Sequence, residues 1–235
     1  MIDNYIALDL ETTGLNPARD RIIEIGMARI ENGNVVKSYD RLIDPGVVLA
    51  ERITELTGIT NDMLKGKPVI SEVIAEILEF IGDTPILGHN IIFDYSFLKK
   101  AAVNAGLTIQ GKGIDTLKIA RRVVPETEHK NLDYLCAYYQ IDPGHSHRAL
   151  DDALSASALF QKMYEVKPED SGFDQPMELI YAVKKDAPIT AAQKRYLLAL
   201  LAHNQLELEE ELESMTKSDA SRKIDQIISQ YGKNT

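Results

Sequence analysis

The sequence predicts an α/β fold, in which a mixed five-stranded sheet is flanked by helices and followed by a small helical region. Apolar segments of strand length come first and are joined by hairpin chemistry, which favours antiparallel pairing. Later apolar segments alternate with amphipathic helical ones, an order that interleaves strands and helices in one sheet. The 235 residues are 44% hydrophobic and 26% charged, which is a globular rather than a disordered composition.

Five segments have the length and composition of strands. They are residues 5–10, 22–30, 35–43, 85–88 and 114–117. The first is almost wholly apolar, as expected of a strand buried on both faces. The second and third flank Asn32-Gly33, a favoured pair in tight hairpins, so the first three strands are predicted to be antiparallel. The last two lie between helical segments and complete the sheet.

Helical segments are indicated by apolar residues spaced three and four apart, by capping residues at the start and by glycine at the end. They run over 51–57, from Ser71 to Gly82, from about Ile92 to Gly106, over 118–123, from Asn131 onwards and from near His147 onwards. In the second of them Val73, Ile77 and Ile81 fall on one face. Such faces are expected to pack on the sheet.

The pattern changes near Val166, where prolines and charges replace the helical spacing. We divide the chain into a main domain over 1–166, a linker over 167–188 and a small helical region over 189–235. In the last region Thr190 and Gln193 form a capping box before a leucine-rich helix, and an acidic run over 207–213 precedes another helix. This alternation of apolar and acidic stretches suits docking on a partner protein or on the main domain itself.

Composition and charge narrow the functional classes. The single cysteine, Cys136, excludes an internal disulfide and a Cys-rich zinc site. No apolar run approaches the roughly 18–20 residues of a membrane span and no signal peptide is recognisable, so we expect a cytoplasmic protein that does not enter a membrane. The net charge is −10, whereas proteins that grip phosphates are usually basic. Something other than overall charge must therefore attract a nucleic-acid ligand, and divalent cations held by clustered carboxylates would do so.

Asp9 and Glu11 end the first predicted strand and form the first of three acidic motifs. Residues two apart in a strand project from the same face, so both carboxylates point to one place. Two acids at the edge of an apolar core repel each other and resist ionisation, and a bound cation would resolve this conflict. Taken alone, such a pair is more often solvated at a strand end.

Two further motifs lie at predicted helix starts. Asp94 falls in the first turn of a helix, where an anion is favoured, so ordinary capping explains it equally well. His147 is followed five residues later by Asp152, within another helix. A lone histidine is more often structural than catalytic. His145 and His147 lack the further soft ligands that a zinc site would need.

The three motifs are specific in combination. In chain order they are Asp9-Leu10-Glu11-Thr12-Thr13-Gly14, His89-Asn90-Ile91-Ile92-Phe93-Asp94 and His147-Arg148-Ala149-Leu150-Asp151-Asp152. The sequence closely resembles the DnaQ-like 3′–5′ exonucleases of the DEDDh type, the superfamily of polymerase proofreading domains such as the epsilon subunits of DNA polymerase III, of RNase T and of oligoribonuclease. The resemblance covers about residues 1–165 and implies an RNase H-like fold.

The resemblance implies a catalytic site with its cofactors. Four acids would hold two divalent metal ions, Mg²⁺ or Mn²⁺, both of which prefer oxygen ligands. These acids are Asp9, Glu11, Asp94 and Asp152. His147 matches the general base of the family, which takes a proton from the attacking water, a task that suits imidazole because it titrates near neutrality.

The resemblance also implies substrate contacts by Thr12, Leu15, His89, Asn90 and Phe93. The backbone of Thr12 would meet the 3′-terminal nucleotide, Leu15 would wedge between the last two bases, and the other three would line the pocket of the terminal nucleotide. Plain core packing is the alternative for Leu15 and Phe93. Five basic residues could follow the phosphate backbone or form a solvated helix face, namely Lys118, Arg121, Arg122, Lys130 and Arg148.

The expected function is that of a metal-dependent 3′–5′ exonuclease in DNA repair or proofreading. Its partner would be single-stranded nucleic acid with a free 3′ end, DNA being favoured, and its products nucleoside 5′-monophosphates. One alternative is an exoribonuclease of the RNase T or oligoribonuclease kind, because the groups that sense a 2′-hydroxyl cannot be placed from the sequence. The other is a catalytically silent nucleic-acid-binding adaptor, which should have lost at least one of the five catalytic residues.

Overall fold

The computed structural model describes residues 1–109, 111–126, 128–144, 147–207, 212 and 215–232. The chain divides into two compact units, Met1–Val183 and Lys184–Thr235. His145 and most of the predicted acidic run over 207–213 lie outside the described residues. No helix within the described ranges combines the length and the apolar character that crossing a membrane requires.

The described part of the first unit contains a six-stranded mixed sheet with the strand order β3-β2-β1-β4-β5-β6. The strands are β1 (Tyr5–Thr12), β2 (Ile22–Glu31), β3 (Asn34–Leu42), β4 (Ile86–Gly88), β5 (Lys112–Asp115) and β6 (Met177–Glu178). β1, β2 and β3 pair antiparallel, as predicted, and Asn32 and Gly33 form the turn with positive φ. β4 and β5 extend the sheet in parallel, and β6 pairs antiparallel with β5.

Helices cover both faces of this sheet. They are α1 (Glu51–Thr57), α2 (Asn61–Leu64), α3 (Ile70–Ile81), α4 (Ile92–Asn104), α5 (Thr116–Val123), α6 (Leu132–Tyr138) and α7 (Ala149–Val166). The face of α3 that carries Val73, Ile77 and Ile81 is buried, as its spacing predicts. The predicted α/β class is confirmed, and the sheet has one strand more than predicted.

β1 separates two apolar cores because its alternate residues face opposite sides of the sheet. Leu8 and Leu10 pack with α3 and α4 on one side. Tyr5 and Ala7 pack with α5 and α7 on the other side. This explains why residues 5–10 are apolar without alternation. It also places the end of β1 between helices that belong to both cores.

The sixth strand comes from residues 167–188, which were predicted to be a linker. That prediction is corrected here, because part of this segment belongs to the sheet. Phe173 is fully buried among the residues of α5 and α7, and Leu179 is buried in the opposite core. The Arg122 guanidinium also pairs with the Asp170 carboxylate at 2.7 Å. Scattered prolines, glycine and charges hid these anchors, because a single buried aromatic side chain and a two-residue strand leave no periodic pattern.

The second unit contains α8 (Ala191–His203) and α9 (Lys217–Tyr231). Thr190 and Gln193 form the predicted capping box at α8, and Thr216 and Asp219 form an equivalent one at α9. Apolar side chains from both helices and from the residues just before α9 make a core of Leu197, Leu200, Leu201, Met215, Ile224 and Ile227. The predicted helices are confirmed, and they bury their apolar faces within their own unit.

Candidate active site

The C-terminal end of β1 supplies the first two acids. Asp9 and Glu11 are partly buried and lie opposite Gly26 and Glu24 of β2. Being two residues apart in one strand, they project from the same face. The register between the two strands shifts after Glu11, so β1 leaves regular pairing immediately beyond the acids.

α4 supplies the third acid from its first turn. The pairing of β1 with β4 ends at Ala7 and Leu87, so the amide of Leu10, which faces that side, has passed the end of the shorter strand. The Oδ1 atom of Asp94 accepts this N–H at 3.0 Å, and the Asp94 side chain is only 3% exposed. The short strand β4 thus makes room for a carboxylate beside β1.

The start of α7 supplies the fourth acid and the histidine. Asp152 is buried, and its Oδ2 atom accepts the backbone N–H of His147 at 3.1 Å. His147 has a φ of 64°, an uncommon left-handed conformation for a residue other than glycine. One potential ligand atom from each of Glu11, His147 and Asp152 lies within 4.8 Å of the other two.

Gly26 allows α7 to reach the sheet. A Cβ atom at Gly26 would lie 2.0 Å from the backbone nitrogen of Leu150, closer than atoms can approach. The helix start therefore rests directly on the β2 backbone, opposite Asp9 in the adjacent strand. This contact brings His147 and Asp152, which are distant in sequence, to the acids of β1.

The four acids resist ionisation in the absence of a cation. Burial, followed by repulsion from Asp94 and Asp152, raises the pKa of Asp9 well above its ordinary value. Burial and neighbouring carboxylates raise the pKa of Glu11 to about 8. Burial also raises the pKa of Asp94 to about 8, although the Leu10 amide favours its ionised form, and that of Asp152 to about 6.

This electrostatic arrangement fits bound divalent cations. Carboxylate oxygens are the ligands that hard ions such as Mg²⁺ and Mn²⁺ prefer. Buried acids that repel one another are costly to ionise unless positive charge is placed among them. Asp9, Glu11, Asp94 and Asp152 are therefore the residues that would hold such ions.

The residues predicted to contact substrate differ in how strongly they interact with the rest of the protein. Leu15, in the turn after β1, is 84% exposed, so core packing does not describe it. Phe93 packs partly into the core, with its ring centroid 5.1 Å from that of Phe97. The Thr12 hydroxyl donates to the carbonyl of Gly14 at 2.7 Å, and Thr12 pairs with Ile22 at the end of the β1–β2 ladder.

His89 and Asn90 connect β4 to the neighbouring loops. The Nε2–H group of His89 donates to the carbonyl of Lys130 at 2.6 Å, and its Nδ1 atom shares a hydrogen bond with the Thr116 hydroxyl at 2.9 Å. Burial lowers the pKa of His89. Asn90 has a φ of 70° and donates its N–H to Asp115. Since both ring nitrogens of His89 are engaged, a nucleotide would meet its ring carbons.

Sequence reasoning missed one residue beside the site. Glu24 of β2 is fully buried, and its carboxylate accepts hydrogen bonds from Arg148 and from the backbone N–H of Ala149. The Arg148 guanidinium, a candidate for tracking phosphates, is thus paired within the protein. The sequence did contain a signal for this residue. Glu24 lies between Ile23 and Ile25 in an apolar strand, and a buried acid requires a partner.

The fold and the site define a class of enzyme. A mixed α/β sheet whose inner strand ends at clustered acids, beside a histidine from a helix start, is the arrangement of a metal-binding nuclease. Within this class, residues 6–160 match the sequence profile of the RNase T exonuclease family. The chain belongs to this family of DnaQ-like 3′–5′ exonucleases, as its motifs predict.

The sequence relatives match most of this chain but different shares of their own length. The PolC-type DNA polymerase III of Clostridium perfringens is 36% identical over 167 residues, which cover 69% of this chain and 12% of that polymerase. The chain thus spans about an eighth of the length of the PolC-type relatives that it matches. The DNA polymerase III epsilon subunit of Aquifex aeolicus is 35% identical over 162 residues, covering 68% of this chain and 80% of the subunit.

Solved structures agree on the fold. Escherichia coli exonuclease I in complex with a dA16 oligonucleotide aligns with a TM-score of 0.64 at 20% identity, over 74% of this chain and 42% of that one. Exonuclease X in complex with 5′-overhanging duplex DNA aligns with a TM-score of 0.57 at 26% identity, over 71% of this chain and 94% of that one. The predicted RNase H-like exonuclease fold is confirmed.

Proposed function

We propose that this chain removes nucleotides one at a time from the 3′ end of single-stranded DNA and releases nucleoside 5′-monophosphates. The observation that carries the proposal is the convergence of Glu11, His147 and Asp152, whose potential ligand atoms lie within 4.8 Å of one another. Asp9 and Asp94 complete the group. The carboxylates of Asp94, Asp152 and Glu11 all lie close enough to Asp9 to raise its pKa. A catalytically silent adaptor would not need carboxylates that repel one another at this position.

The four acids would hold two divalent ions, Mg²⁺ or Mn²⁺. Once bound, such ions supply the positive charge that neutralises the phosphodiester and lower the pKa of water. The imidazole of His147 would accept the proton of the attacking water at a ring nitrogen. The hydrogen bond from the His147 amide to Asp152 holds this histidine beside the acids.

The specificity for a strand end would come from the turn after β1. Leu15 is 84% exposed and is free to insert between the last two bases, while Phe93 would present an apolar face to the terminal one. Apolar and aromatic contacts hold any base with little sequence preference. An exonuclease that trims mixed sequences needs this tolerance.

The relatives favour DNA as substrate. PolC-type enzymes and epsilon subunits are named as parts of DNA polymerase III, and the two aligned structures were solved with DNA. We therefore place this chain in DNA proofreading or repair, and assign hydrolysis to the first unit, 1–183. In the second unit Tyr196 and Leu198 of α8 are exposed, which supports docking of a protein partner there.

The test uses matched DNA and RNA strands that carry a label at the 3′ end. With Mg²⁺ or Mn²⁺ the label should leave first, as a mononucleotide, and EDTA should stop its release. DNA should be degraded faster than RNA, and the reverse order would assign the chain to RNA 3′ ends. Label that appears only in internal fragments would contradict an exonuclease.

A further inference from the structure

We propose that Glu24 is a positioning residue for hydrolysis, because it fixes the start of α7 and with it the imidazole of His147. The inference rests on the proposed function, in which this imidazole takes a proton from the attacking water. The Glu24 side chain is 0% exposed, so substrate does not reach it. Its effect on the reaction can pass through the residues that it contacts or through its charge, which raises the pKa of Asp9 and of Glu11, and Arg148→Lys, which keeps this charge, separates the two.

Among the described residues, the hydrogen bonds to the Glu24 side chain come from the start of α7. Its Oε1 atom accepts from Nε and Nη2 of Arg148, at 2.9 and 2.5 Å, and its Oε2 atom accepts from the backbone N–H of Ala149 at 3.0 Å. Charge-assisted bonds of this bidentate kind are strong and directional. They fix both the side chain and the backbone of the residues that immediately follow His147.

His147 needs this support because its own backbone is strained. Its φ of 64° is rarely adopted by residues other than glycine, and such a conformation persists only when its surroundings impose it. On one side the His147 amide is tied to Asp152 at 3.1 Å. On the other side the chain is tied through Arg148 and Ala149 to Glu24. The imidazole is therefore held between two anchored points.

The anchor on β2 lies next to the site. Glu24 pairs in register with Glu11, and Gly26, two residues further along β2, carries the backbone of α7. β2 thus meets the helix start with a close backbone contact and with an ion pair. Without the ion pair the helix could still rest on Gly26, but its first residues would lose the bonds that fix their orientation. A shift of about 1 Å in a catalytic group reduces rates by as much as 100-fold.

Glu24→Gln tests the proposal, with Glu76→Gln as the matched control. Glu76 makes an exposed ion pair with Arg41 at 2.9 Å, so the control makes the same chemical change away from the site. We expect Glu24→Gln to lower kcat about 10- to 100-fold with KM within about threefold, and the control to stay within about twofold. An unchanged kcat in a folded Glu24→Gln protein would overturn the proposal.

A second background separates positioning from general loosening of the fold. In His147→Ala, with rates measured under excess enzyme over hours, adding Glu24→Gln should cost no more than about threefold, because the group that it positions is gone. An undiminished loss in this background would overturn the proposal. If His147→Ala retained most activity while Asp9→Asn abolished it, the proposed role of His147 would fail, and the positioning role with it.

If Glu24→Gln fails to fold, Arg148→Lys tests the same proposal from the other side of the ion pair. Lysine retains the charge but lacks the planar fork whose Nε and Nη2 groups both donate to the Glu24 carboxylate. We expect kcat to fall about threefold or more with KM unchanged, and circular dichroism to match the parent protein. A folded Arg148→Lys protein with unchanged kcat would contradict the positioning role.

Discussion

Buried acids lie on two adjacent strands of this sheet, and the protein surrounds them differently. Glu24 of β2 accepts hydrogen bonds from a guanidinium and from a backbone amide. Asp9 of β1, close by, is surrounded by other carboxylates, which together with burial raise its pKa. A buried acid paired with a cation fixes structure, whereas acids that repel one another create a demand for positive charge from outside the chain. On this difference rests our proposal that Glu24 stabilises the fold and that the clustered acids bind ions.

The sharpest test of this difference is Asp9→Asn, which should have the largest effect on activity. Because it removes a ligand of the proposed ions, hydrolysis should fall about 1,000-fold or more. The protein should be at least as stable as the parent in EDTA, because a repulsion has been removed. Thermal unfolding and the rate of 3′-label release measure the two effects.

The same change at Glu24 provides the contrast. Glu24→Gln breaks a buried ion pair and should lower the free energy of unfolding by about 3 kcal/mol. If Asp9→Asn destabilised the metal-free protein as much as Glu24→Gln does, the division of the acids into two kinds would be wrong.

Gly26→Ala should have the next largest effect, because it acts on the contact that brings the two strands' acids to α7. The added methyl group would meet the backbone of Leu150, which cannot move without displacing the helix start. We expect a loss of about 3 kcal/mol in stability and of about 100-fold in kcat. Gly33→Ala is the control for lost stability alone: the φ of +75° at Gly33 makes alanine unfavourable, but nothing lies within 4 Å of the added Cβ at that hairpin position, so no helix is displaced. Equal losses of activity in both variants would contradict the role of the contact.

The fold and the candidate site were predictable to different degrees. The Asp9 and Glu11 pair could be placed from the period of a strand, because the geometry is local. The anchors of the segment after α7 could not, because Phe173 stands alone among charges and prolines. The ion pair of Glu24 with Arg148 joins residues 124 positions apart, so no local spacing reveals it. Sequence patterns report local periodicity, while the orientation of His147 depends on contacts made only in the folded chain.

The dependence of stability on pH should distinguish the acids further, with a moderate effect. Glu11 and Asp94 have folded pKa values of about 8, against roughly 4 in the unfolded chain. Their protonated forms therefore stabilise the folded protein below about pH 4, and this stabilisation is lost as the pH rises through about 8. In EDTA, Tm should fall between pH 5 and pH 8.

Divalent ions should reverse this trend. Since the ligands must be ionised to bind, the increase in Tm caused by Mg²⁺ or Mn²⁺ should grow over the same interval. Ca²⁺ provides a control for a divalent ion of different size. A metal-induced increase in Tm that was the same at pH 5 and pH 8 would contradict binding by these acids.

The smallest effect is expected from removing the second unit. Its core is formed by its own residues, and the acids, His147 and Glu24 all belong to the first unit. Deletion after Val183, which retains the buried Phe173 and Leu179, should leave hydrolysis of short strands within roughly twofold. Deletion after Val166 should be far more damaging, because it removes β6 and both anchors. A folded 1–183 protein that had lost activity would mean that α8 and α9 take part in hydrolysis, and the division of labour between the units would have to be withdrawn.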